Sequence, residues 1–148
     1  FINHLMLPKV NYQYFISYLG LVPFIFIIIN KYFLFTINED ISRQFIFHYS
    51  IIILVFIGAT NWNLSKKISS LITIYGFLPS LFAVVMIILN LFNFTFNYLI
   101  LSIIIFFCVQ LLIDYLYIYL STQEKKPFIS LRFPLTLLII ICLILIIQ

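Results

Sequence analysis

Asp114 is the one acid inside a long apolar run of this 148-residue chain, and Arg132 lies just inside the start of the next run. A lone carboxylate in hydrocarbon costs several kcal/mol, so it calls for a charge partner or a water-filled pocket. Arg132, at similar depth, is the expected partner, giving a clamp between the fourth and fifth runs. Asn61, at one end of the second run, can join the same polar layer. A proton relay or substrate contact through Asp114 is the alternative chemistry, and interfacial solvation is a third. Histidine offers cofactor chemistry, because a membrane b-type haem takes two axial ligands at one depth. His4 precedes the first run, while His48 is expected near the opposite face, so they cannot share an iron within one chain. Met86 is closer to His48 in depth, which makes His48 the candidate haem ligand, alone with Met86 or across to a partner subunit. The simpler reading is an interfacial imidazole. Cys108 and Cys142 read as small apolar filler at different depths, not as a disulfide. No Cys/His spacing suits a metal.

The elements that must position these groups are five long apolar runs: Tyr12–Thr36, Ser42–Trp62, Leu71–Phe92, Phe96–Leu120 and Ile129–Ile147. Each is near the roughly 20 residues that cross a bilayer as a helix. The chain is 65% hydrophobic and 8% charged, against about 25% charged for a soluble domain. The runs are continuously apolar rather than alternating, which favours helices over a barrel. The expected fold is an all-α polytopic bundle of five transmembrane helices, one membrane domain over residues 1–148. The first run is too long for a cleavable signal and continues into the bundle. The loops are too short for a catalytic or nucleic-acid-binding domain. A non-enzyme is therefore expected, with the lipid bilayer, bound lipids and other membrane subunits as its partners.

Alternating helices place Lys9, Lys66, Lys67, Lys125, Lys126 and Arg132 on one side, with Lys31 and Arg43 on the other. That bias sets the N-terminus on the positive-inside face and the C-terminus opposite. Gly20, Gly58 and Gly76 fall toward the inner face at about one level, with Pro23 and Pro79 just beyond two of them. Small residues let membrane helices approach closely, so a tight crossing of the first three helices is expected there. The preference for Ile, Phe, Leu, Tyr and Asn over Ala and Gly has the look of A+T-rich coding, common in organelle genomes.

Four segments in series resemble the transmembrane protein 69 family, also called domain of unknown function 3429. They are Tyr18–Phe24 (YLGLVPF), Phe56–Asn63 (FIGATNWN), Tyr75–Ser80 (YGFLPS) and Leu131–Thr136 (LRFPLT). The resemblance covers nearly the whole chain from Tyr18. It implies a small five-helix membrane protein of bacteria or mitochondria. Asp114 and Arg132 match the family pattern, whereas Asn61 stands where that pattern has a His, so a role needing an imidazole there does not carry over. The family supplies no reaction. The expected function is a non-catalytic accessory subunit of a mitochondrial inner-membrane complex, of the respiratory chain. The alternatives are a membrane anchor contributing to a quinone or haem site, and a small transporter or proton conductor using Asp114. A bacterial inner membrane is the alternative location.

Overall fold

The computed structural model describes residues 12–60, 70–116 and 128–148, and all regular structure among them is helical. Five helical stretches are long and apolar enough to cross a membrane: Tyr14–Leu34, Glu39–Ala59, Ser70–Leu91, Phe96–Asp114 and Ser130–Ile147. The protein is an all-helical integral membrane bundle.

The first span is built in pieces. α1 (Tyr12–Leu19) and α2 (Val22–Ile29) meet at a break over Gly20 and Leu21. Pro23, in the first turn of α2, explains its place, because proline suits a helix start and breaks a helix interior. Tyr49 Oη donates to the Gly20 carbonyl at the break, 2.9 Å away. A π-helical turn, Asn30–Leu34, ends the span. Asn30 is 3% exposed, and its Oδ1 accepts from Thr36 N, Thr36 Oγ1 and Ile37 N at 3.2, 2.9 and 3.1 Å. Its Nδ2 donates to the Ile37 carbonyl. That amide holds the reversal in which Phe35 takes a left-handed φ of 52°.

α3 (Glu39–Ala59) starts at Asn38, whose Oδ1 accepts from Asp40 N, with Glu39 and Asp40 in the first turn. Both features favour a helix N-terminus. α4 (Ser70–Leu91) carries Pro79 inside it, and α5 (Phe96–Asp114) follows a short turn containing Asn93 at a φ of 58°. A second π-helical turn, Phe128–Arg132, leads into α6 (Phe133–Ile147).

α3 packs against α2, α4 and α5, and α6 packs against α2 and α5. Phe24, Phe47, Leu54, Ile100, Phe107 and Leu143 fill the middle, while Phe33, Leu71 and Leu91 lie on the exposed surface. That apolar exterior matches a hydrocarbon solvent, in which helices associate through packing and hydrogen bonds rather than by expelling water. The first and last spans are bonded at both ends. Tyr14 Oη pairs with Ser130 Oγ and Tyr18 Oη donates to the Ser130 carbonyl at one end. Lys31 Nζ donates to the Ile146 carbonyl and Tyr32 Oη to the Leu145 carbonyl at the other.

Candidate functional site

The strongest polar cluster ties α3, α4, α5 and α6 together at one end. Asp114 closes α5, where the helix dipole is negative; Arg132 sits at the N-cap of α6, where it is positive. Each charge is thus badly placed on its own helix, and each relieves the other. Arg132 Nε and Nη2 both approach Asp114 Oδ2 at 2.7 Å. Tyr75, on α4, donates to Asp114 Oδ1 at 2.9 Å and also lies 3.0 Å from the Gln110 carbonyl. Arg132 reaches further, to Thr60 Oγ1 at 3.1 Å and the Ile57 carbonyl at 3.4 Å. Those groups close α3, where a cation is welcome. Asp114 is 1% exposed and both its oxygens are engaged.

The Asp114–Arg132 pair expected from the sequence is present, while Asn61 lies outside the described residues. Tyr75 and Thr60 were missed. Tyrosine is common at membrane interfaces, and only the packing of α4 on α5 turns Tyr75 toward the acid. Gln110 was missed too. It is one turn before Asp114 and 2% exposed, and its amide has no partner among the described residues.

The glycines do not meet at one level. A Cβ on Gly58 would stand 2.6 Å from Pro79 Cγ and 2.9 Å from the Gly76 carbonyl. Gly58, Gly76 and Pro79 therefore form the contact where α3 and α4 touch most closely. Gly20 instead faces α3 at Tyr49 and Ile53, both beyond 3.5 Å from such an added carbon. Ile53 is five residues, about 7.5 Å of rise, from Gly58. Pro23 belongs to the break in the first span and not to this crossing.

His48 lies one turn beyond Gln44, which meets Asn90 near the end of α4. α3 begins at Glu39, so His48 lies nine residues, about 14 Å, along a 21-residue helix. Its side chain is exposed on the outer surface of the bundle, whereas Met86 is buried. His48 Nδ1 is 2.7 Å from the Gln44 carbonyl. A carbonyl only accepts, so Nδ1 donates, and in the neutral imidazole Nε2 keeps its lone pair. This is the tautomer that a metal-binding histidine uses, with its other nitrogen on a backbone carbonyl. Gln44 lies one turn away and accepts from Asn90 Nδ2 at 3.2 Å. Among the described residues no group of three or more His, Cys, Asp or Glu could hold a metal ion. Cys108 and Cys142 are both free.

Fold and polar cluster together define a small five-helix membrane protein whose ion pair locks one end of the bundle. The chain belongs to the family described as Protein of unknown function (DUF3429), whose model matches residues 10–148. No curated protein and no solved structure matches it.

Proposed function

We propose that the protein is a non-catalytic accessory subunit of a multi-subunit complex in the mitochondrial inner membrane, part of the respiratory chain, with its N-terminus on the matrix side. The observation that carries this reading is the imidazole of His48, exposed near mid-helix on the surface of α3. Ionisable groups at membrane depth face a protein interior or a water-filled cavity. A neighbouring subunit laid over α3 supplies that interior. The Gln44–Asn90 pair extends the same polar strip toward the Glu39 end of α3. Asp114, by contrast, is spent on holding the bundle, with both oxygens bonded, which favours a strut over a proton relay. The basic bias of the loops supports the orientation, and the A+T-rich residue preference supports an organelle.

Mild solubilisation of native membranes, followed by identification of co-purifying subunits, tests the proposal. Respiratory subunits should co-migrate with the wild-type chain, and His48→Leu should weaken that association while the chain still inserts. Migration as a free monomer, never with respiratory subunits, refutes it. The Nδ1 bond of His48 favours one second reading, a membrane anchor whose Nε2 ligates a haem shared with the neighbour. A visible absorption spectrum of the intact complex distinguishes the two, since only the second predicts a haem band lost in His48→Leu.

A further inference from the structure

At the end of the bundle opposite the Asp114–Arg132 pair, a cavity of about 400 Å³ lies among the end of the first span, the start of α3 and the end of α6. Its lining is amphipathic. Lys31, Glu39, Ser42 and Arg43 supply polar atoms, while Ile27 and Ile146 supply apolar wall. Lys31 Nζ is fixed there by the Ile146 carbonyl at 2.8 Å and the Leu145 carbonyl at 3.4 Å. An ammonium carries three donors, so one remains. Arg43 pairs with Glu39 at 2.6 Å and lies over the Phe96 ring, leaving other guanidinium N–H groups available. Two cations against one carboxylate leave the cavity with one net positive charge. The N-terminus of α3 adds its positive dipole end.

Ser42 is the informative residue. It is 8% exposed, and its hydroxyl has no hydrogen-bond partner among the described residues. A helical serine ordinarily turns back to the carbonyl four residues earlier, as Ser50 does to Ile46 and Ser102 to Tyr98. Ser42 does not, and it lines the cavity. Lys31 and Arg43 stand near the ends of spans, at the level where lipid headgroups meet water.

We propose that this cavity binds a phosphate-bearing anion, the headgroup of an anionic phospholipid in the leaflet at that end. The phosphate lies between Lys31 and Arg43 and accepts from Ser42 Oγ. The glycerol and the first methylenes of the acyl chains lie against Ile27 and Ile146. A monoanionic phosphodiester matches the single net charge, and the apolar wall favours a lipid over free phosphate.

The test uses the full chain, purified and delipidated in a neutral detergent. Native mass spectrometry and thermal shift are read with phosphatidylglycerol, phosphatidylcholine and inorganic phosphate. Phosphatidylglycerol should bind more tightly than phosphatidylcholine, and inorganic phosphate should raise Tm little. Ser42→Ala and Arg43→Gln should each weaken phosphatidylglycerol about tenfold, the worth of one charge-assisted hydrogen bond. Ser42→Ala should leave the lipid-free Tm unchanged, because its hydroxyl has no partner to lose, and Ser42→Thr should retain binding. Equal binding of the two lipids, or undiminished binding by Ser42→Ala, overturns the site. Full protection by inorganic phosphate, in competition with phosphatidylglycerol, overturns the lipid assignment in favour of a soluble phosphate ligand.

Discussion

Breaking the Asp114–Arg132 pair from each side in turn, and then from both, measures how much the bundle depends on it. Asp114→Asn keeps the shape of the side chain and removes its charge. Arg132 then faces a neutral amide in place of the charged carboxylate that two of its N–H groups approach at 2.7 Å. A partner removed from a buried pair costs about 3–5 kcal/mol, and the lower end applies because Arg132 still reaches Thr60 and the Ile57 carbonyl. Arg132→Gln leaves the carboxylate almost fully enclosed with only Tyr75 to serve it, and also uncaps α3, so about 4 kcal/mol is expected. In the double variant neither charge is stranded, so its cost should be about 4 kcal/mol rather than the sum, a coupling of about 3 kcal/mol. Equilibrium unfolding by steric trapping in bicelles reads all four corners of the cycle. Additivity within about 0.5 kcal/mol would mean that the two charges are solvated separately, and the clamp would be wrong.

Gly58→Ala should destabilise the bundle by about 1–3 kcal/mol, because its methyl group would enter Pro79 and the Gly76 carbonyl. Gly20→Ala should cost less than about 1 kcal/mol in the same unfolding assay, since the added carbon meets only the Ser17 carbonyl closer than 3.5 Å. Equal losses at the two glycines would contradict the close α3–α4 approach. Asn30→Ala removes the bonds that hold Thr36 and Ile37, and about 2 kcal/mol should be lost, with faster amide exchange at residues 36–38. Phe35→Asn should gain about 1 kcal/mol, because asparagine adopts left-handed φ more readily than phenylalanine; unchanged stability would show that the reversal carries no backbone strain.

The five spans were legible because bilayer thickness imposes one length on any apolar helix, and no other solvent requires it. Asp114 and Arg132 were legible for a related reason: opposite charges at similar depth in hydrocarbon have few alternatives to each other. Tyr75 and Thr60 were not legible, because their types are common at helix ends and only tertiary packing aims them at the pair. The start of the second helix was placed too late for a definite physical reason. Hydropathy stops the second run at Ser42, where the charges begin, whereas Asn38 caps the helix and Glu39 and Asp40 suit its dipole. Backbone hydrogen bonding therefore carries α3 three residues beyond the apolar run. The shared level of the three glycines failed similarly. Counting residues from the ends of runs assumes unbroken helices, and the first span is broken at Gly20.

The bonds between the first and last spans join residues as far apart as 116 positions, at both ends of the bundle. During synthesis the first span enters the bilayer long before its partner exists. Until α6 arrives, Lys31 lacks the carbonyls of Leu145 and Ile146, and Tyr14 and Tyr18 lack Ser130. Arg132 arrives with the same segment, so Asp114 also waits uncompensated. The span Ser130–Ile147 thus supplies partners to the first span and to α5 at once. Without that span an acid and a lysine stand in the membrane without these partners.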